Sequence, residues 1–410
     1  MKYVTKDDPL VSQLIRSELR REEDGLEMIA SENYVSRAVL EALGSVFTNK
    51  YSEGYPGRRY YGGQEFTDAV ETLAIERAKK LFGAEHANVQ PHSGAPANIA
   101  VYSALLEPGD TILGMDLSHG GHLTHGHPVT FMPKIYRFVR YKTEPDGSID
   151  YKKLEALARK EKPKLVLAGF SSYTRQLDYA KFQAIAEKVK AYSMMDMAHI
   201  AGLVAAKVVP NPVPYFDVIT ATTHKTLRGP RGGLILCRKA IASKIDKAVF
   251  PGLQGGPHMH VIAAKAVAFG EALRPEFKRY GKQVLKNAKA LESELRKLGF
   301  RIVFGKTENH MVLVDTFASH GVAGKAGEYL LDEAGITVNK NILPDDPRGP
   351  MDPSGLRIGV PALTTRGMKE KEMRQIARWI DAALRSKGDA KKLASLQREV
   401  KQLCKLFPVY

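Results

Sequence analysis

The stretch FTDAVETLAIERAKKLF carries apolar residues at 66, 70, 73, 74, 81 and 82, the spacing of one helix face. A different rhythm follows. ANVQ (87–90), TILGMD (111–116), KLVLAGF (164–170), AYSMMD (191–196), DVITATT (217–223) and GLILCRK (233–239) are short apolar runs of strand length. Helical segments fall between them, at SGAPANIAVYSALL and at 178–190, and Pro108-Gly109-Asp110 marks a turn. Such alternation predicts an α/β fold, with a mainly parallel sheet covered by helices on both faces. A long helical stretch at 258–298 leads into shorter strands at 301–304, 311–315, 336–339 and 356–360. The expected organisation is an N-terminal arm with helices (1–40), a large domain (41–270) and a small C-terminal α/β domain (271–410). Ile376, Trp379, Ile380, Ala383 and Leu384 predict an amphipathic helix near the end.

Composition narrows the class. The 410 residues are 44% hydrophobic and 26% charged, as in a soluble globular chain long enough for two or three domains. The start, MKYVTKDDPL, lacks the apolar core of a secretory signal, and no apolar run reaches the ~18 residues of a membrane span. Two cysteines, Cys237 and Cys404, make neither a disulfide framework nor a zinc site. A cytoplasmic location is expected, with no membrane partner. Lys and Arg exceed Asp and Glu by 61 to 45, giving +16, which first suggests nucleic acid. The basic residues are instead spread along the chain without interleaved aromatics. In 366–410 there are 12 basic and 5 acidic residues on an amphipathic pattern. That reads as a solvated face, or a lure for anionic substrates, rather than a nucleic-acid surface.

The reactive candidates cluster at the C-terminal ends of predicted strands, where open α/β sheets bind ligands. Lys225 in TTHKTLRGPRGG fails the phosphate-loop pattern, because Ile219 and His224 stand where glycines are required. Apolar surroundings would lower its pKa and make it a nucleophile toward carbonyls; a solvated loop lysine is the alternative. Asp196 lies among Met194, Met195, Met197 and Ala198, so it needs a partner: a pyridinium nitrogen, a structural arginine or a helix N-terminus. His199 could face the same cleft. Ser93 and Gly94 precede a predicted helix and suit a phosphate or a plain N-cap. Residues 119, 122, 125 and 127 are histidines, but their irregular spacing argues against a metal, and none is expected. Arg357, alone among apolar residues, wants a carboxylate, from a substrate or from an internal ion pair. In YSEGYPGRRYYGG, Glu53 is the only acid and the natural acid–base candidate.

Nine stretches together resemble one family, serine hydroxymethyltransferase: IASENYVS, KYSEGYPGRRYYGG, NVQPHSGAPAN, DLSHGGHLTHG, DMAHIAGL, TTHKTLRGPRGG, FPGLQGGPHMH, TVNKN and SGLRIGVPALTTRG. They run in the family's order from residue 29 to 367. The resemblance implies the fold type I architecture of pyridoxal-phosphate enzymes, with a seven-stranded sheet in the large, cofactor-binding domain. It implies Lys225 as the Schiff-base anchor of pyridoxal phosphate, Asp196 on the pyridine nitrogen and His122 against the ring. His199 and Ser171 would lie near the 3-oxygen, with Ser93, Gly94 and His224 near the phosphate. Tyr51 and Gly256 would join from the second subunit of a homodimer with shared active sites. Arg357 and Ser31 would hold the carboxylate of serine or glycine, and the partner's Glu53 would handle protons at the hydroxymethyl group, near Tyr61. Leu117, Gly121, Leu123 and Asn341 match positions that contact the tetrahydropterin co-substrate.

Departures fall outside this core. Ala221 replaces a frequent threonine, Met351 stands where an aromatic is common, and the 131–143 stretch is unusually basic. These leave the pterin open between tetrahydrofolate and a modified archaeal type. A pterin-independent threonine or β-hydroxyamino-acid aldolase on the same fold is the alternative activity.

Overall fold

The computed structural model describes residues 2–410. Seven strands build the large sheet: β1 (His86–Asn88), β2 (Thr111–Met115), β3 (Arg137–Tyr141), β4 (Leu165–Gly169), β5 (Tyr192–Asp196), β6 (Val218–Thr222) and β7 (Gly233–Cys237). Their order is β1-β7-β6-β5-β4-β2-β3. Only β7 runs antiparallel to its neighbours; the pairs from β6 across to β3 are parallel. β2, β4, β6 and β7 are buried along their whole length, which is why they read as continuous apolar runs rather than alternating ones.

The second sheet is antiparallel: β8 (Arg301–Ile302), β9 (Met311–Asp315), β10 (Asn339–Asn341) and β11 (Gly355–Gly359), in the order β8-β9-β11-β10. The chain's beginning joins this C-terminal part. Leu26–Glu27 pairs in parallel with Ile336–Thr337, and the Gly359 N–H donates to the Met28 carbonyl at 2.7 Å. That route delivers Ser31 beside β11. Arg366 locks it in place. All five of its guanidinium N–H donors reach carbonyls, those of Glu22, Glu23, Gly25, Cys404 and Phe407.

Two sequence expectations change. The single helix expected at 258–298 is two, Met259–Ala272 and Pro275–Lys297. Pro275 lacks an N–H to extend the first helix but suits the first turn of the second. The basic stretch at 131–143 contains β3, an edge strand with its first residue exposed.

Candidate active site

Three strands of the large sheet and one of the small sheet converge on a cavity of about 400 Å³. Asp196 ends β5, Ser171 follows β4, and Lys225 sits three residues past β6. Arg357 reaches in from the middle of β11. The lining also includes Ser31, Ser93, Gly94, His122, His199 and His224. Ten residues singled out from the sequence thus meet in one place.

Asp196 is buried, and its neighbours keep it charged. Burial alone would raise its pKa, but hydrogen bonding to His125, the adjacent His125 and His122 imidazoles and the Asn98 amide outweigh that and hold the carboxyl well below its usual range. Oδ2 accepts from the Asn98 amide at 2.9 Å and lies 3.1 Å from His125 Nε2; Oδ1 accepts from the Ala198 N–H at 3.1 Å. No arginine contacts it among the described residues, so the structural-arginine alternative falls. His125 and Asn98 are the functional neighbours the sequence reading missed, although both stand inside quoted motifs. The ligand atoms of His122, His125 and Asp196 lie within 4.8 Å of one another, and the His125–Asp196 contact joins two of the three.

Lys225 is buried, and desolvation, reinforced by Arg357 and Arg231, lowers its pKa to about 8 against the pull of Asp196. Its Nζ makes no hydrogen bond or ion pair among the described residues. Its backbone is fixed instead: the Lys225 carbonyl accepts from Asn33 Nδ2 at 3.0 Å, and Thr226 Oγ1 donates to the His199 carbonyl at 2.9 Å. A side chain at Gly202 would collide with the Thr226 carbonyl, its Cβ only 2.0 Å away. The lysine loop therefore packs directly on the helix Ala201–Ala205.

His122 is neutral: burial and neighbouring His125 push its pKa to about 4. Its Nδ1 accepts from the Thr124 N–H at 3.2 Å, which fixes the ring. His199 is also driven down by burial, and His310 Nε2 lies 3.3 Å from its Nδ1.

Arg357 is buried without a carboxylate partner among the described residues. Nη1 donates to the Ser171 carbonyl and Oγ at 2.9 and 3.1 Å, and Nη2 to Asn339 Oδ1 at 2.7 Å; Nε has no partner. The internal ion pair weighed from sequence is absent there. Desolvation lowers its pKa to about 10, still cationic at neutral pH.

Ser93 occupies the N-cap of helix Gly94–Leu105, yet its side chain makes no capping bond. The first-turn N–H groups and the hydroxyl stay open to an anion. A Cβ at Gly94 would meet Thr222 Cγ2 at 2.8 Å, so the turn lies tight on β6. His224 Nδ1 is buried without a partner, and Arg231 completes this end of the lining.

The cavity therefore fits pyridoxal phosphate on its own chemistry. It offers an unpaired nucleophilic amine, an ionised carboxylate at depth, a fixed neutral imidazole and an uncapped helix start.

Eight expected site residues lie outside this cavity. Tyr51 and Tyr61 are 54% and 49% exposed and meet edge-to-face at 5.1 Å. Tyr51 OH donates to Glu53 Oε1 at 2.9 Å, and a Cβ at Gly256 would touch the Tyr51 ring at 3.0 Å. This cluster does not line the Lys225 cavity of its own chain. Nor do Leu117, Gly121, Leu123 and Asn341. Gly121 lies against β2, where a Cβ would strike the Met115 carbonyl at 2.2 Å.

A family model described as serine hydroxymethyltransferase matches residues 4–380. The chain is 57% identical over 408 residues to a serine hydroxymethyltransferase of Acidobacterium capsulatum, spanning 99% of this chain and 95% of that protein. It is 56% identical over 408 residues to one of Koribacter versatilis, spanning 99% and 96%.

Proposed function

We infer the working parts of this site from one premise: the chain belongs to the serine hydroxymethyltransferase family. It is an enzyme that uses pyridoxal phosphate and a tetrahydropterin, moving the hydroxymethyl carbon of serine to the pterin and leaving glycine, reversibly. The observation that carries the residue roles is one cavity holding two buried basic side chains, Lys225 and Arg357, with no carboxylate paired to either among the described residues.

When bound, pyridoxal phosphate supplies an electron-withdrawing ring that accepts the electron pair left on the amino-acid α-carbon. Lys225 anchors it covalently, which its lowered pKa favours. Asp196, held ionised, keeps a proton on the ring nitrogen. His122, neutral and fixed, packs on the ring face. Ser93, Gly94 and His224 take the phosphate, and Ser171 and His199 serve the 3-oxygen side. Arg357 binds the substrate carboxylate with Ser31; a buried guanidinium with a free Nε is primed for that anion. Arg357 and Lys225 thereby fix which bond of the substrate faces the ring.

A homodimer completes the site. The Tyr51–Glu53–Tyr61–Gly256 cluster, its tyrosines exposed and Glu53 and Gly256 half-buried, does not line its own cavity, and in a second copy it would bring Glu53 to the serine hydroxyl to move its proton. Leu117, Gly121, Leu123 and Asn341 hold the pterin. The division 1–40, 41–270 and 271–410 is proposed on the separation of the two sheets, its second boundary falling inside the helix Met259–Ala272. No described helix is long and apolar enough to cross a membrane.

Incubating the protein with serine, with and without tetrahydrofolate or an archaeal-type tetrahydropterin, tests the activity. Glycine formation should require the pterin, and the two pterins run side by side identify the carrier. Serine cleavage indifferent to either pterin would mark an aldolase instead. Borohydride reduction of the loaded enzyme followed by peptide mapping tests the anchor: the cofactor mass should appear on Lys225, and its appearance on any other lysine would reassign the site.

A further inference from the structure

Lys265 is 1% exposed, in the middle of helix Met259–Ala272. Its Nζ donates to the carbonyls of Val89 at 2.6 Å, Pro91 at 3.1 Å and Gly233 at 2.8 Å. No ion pair joins it among the described residues. An ammonium has three N–H donors and a neutral amine two, so the three carbonyls match the charged form. Burial opposes that charge and brings the pKa to about 7, with Glu71 pulling it back up. A buried cation without a counter-ion is costly, so its location needs a reason.

The backbones it ties together are those that build the proposed phosphate end of the cavity. Val89 and Pro91 lead from β1 to Ser93 and the first turn of helix Gly94–Leu105. Gly233 opens β7 just after the loop carrying His224, Lys225 and Arg231. The two backbones touch: Gly233 N–H donates to the Pro91 carbonyl at 2.9 Å, and a Cβ at 233 would meet the Ser93 carbonyl at 2.4 Å. Lys265 fills the space a side chain at Gly232 would need, with Cε 2.5 Å from such a Cβ. Its charge is felt at this end. His224 is lowered by burial, then by Lys225 and Arg231, and also by Lys265. His92, lowered by burial and His258, feels Lys265 too.

We propose that Lys265 is a positioning residue for the cofactor phosphate: its buried ammonium pins the 89–94 loop to the start of β7 and sets a positive charge behind the Ser93–Gly94 turn. This rests on reading that turn as the phosphate site. The test compares binding of pyridoxal phosphate and of pyridoxal, which lacks the phosphate, to the apoenzyme by absorbance titration. Wild type, Lys265→Met, Lys265→Arg and Ser93→Ala are titrated in parallel. Lys265→Met should weaken pyridoxal phosphate roughly tenfold more than pyridoxal, because lost charge behind the turn acts on the phosphate alone. Lys265→Arg, which keeps the charge, should retain most of the preference. Equal losses for both ligands in Lys265→Met would make the lysine merely structural and overturn the proposal. If Lys265→Met does not fold, Lys265→Gln carries the same comparison. A shift in Ser93→Ala without one at Lys265 overturns the proposal but spares the phosphate reading. No shift in either overturns both.

Discussion

Lys225 is the residue on whose environment the proposed chemistry depends most. With a pKa near 8, about half its side chain is neutral at that pH, whereas an ordinary lysine would be almost wholly protonated. The rate of covalent cofactor attachment to the apoenzyme should rise about tenfold per pH unit below 8 and level off above it. A rise that continues past pH 10 would mean the lysine is solvated. Arg357→Ala should raise the serine KM through loss of ~2–4 kcal/mol of charged hydrogen bonding, and Arg357→Lys should not rescue it, because the planar fork is lost. Steady-state kinetics decide both. The residues themselves were legible in the sequence, since Lys225, Asp196 and Arg357 are charges set in apolar runs. Their partners were not. His125 and Asn98 meet Asp196 only because the helix Gly94–Leu105 and the loop after β2 converge on the end of β5, a relation between distant elements that no local spacing reveals.

At the scale of elements, the buried strands announced themselves and the edge did not. β2, β4, β5, β6 and β7 fall within a residue or two of their apolar runs. β3 carries Arg137 and Arg140 because it lies at the sheet's edge, and those charges hid it. The break at Leu273 and Arg274 was equally hidden, because apolar spacing continues across it. Two connections bear directly on the site. Gly202→Ala would force the helix Ala201–Ala205 off the lysine loop and should lower both thermal stability and cofactor retention. Arg366→Met would remove five guanidinium–carbonyl hydrogen bonds, one buried and four part-buried, that join the N-terminal arm to the C-terminal helix. A loss of about 3 kcal/mol or more in denaturant unfolding is expected. Loss of less than ~1 kcal/mol would show that water replaces those bonds.

Across the whole molecule, protonation and assembly set the limits. Burial lowers the pKa of His122 to about 4 and of His224 and His310 to about 3. Below their ordinary value of 6.5 the unfolded chain binds protons that the folded one refuses, so stability falls with pH from about 6.5 toward 4. Glu27 works the other way, its pKa raised to about 7 by burial and Glu32, and burial also raises Glu22 and Glu71, but His199, His92, His119 and His258 are lowered alongside those three imidazoles. The melting temperature should therefore drop on acidification through that window; a flat profile would mean these imidazoles are hydrated. The +16 charge supports only bulk electrostatics, and any RNA binding should vanish between low and moderate salt without sequence preference. The sequence motif around Glu53 implied a shared site, and the fold leaves that cluster outside the Lys225 cavity of its own chain, so the decisive measurement joins two damaged chains. Lys225→Gln and Glu53→Gln should each abolish or severely reduce pterin-dependent serine cleavage as homodimers. The hybrid, isolated by a different tag on each chain, keeps one intact site, with Lys225 from one chain and Glu53 from the other. It should show about half the wild-type activity. A hybrid as inactive as its parents would contradict a site built between two copies.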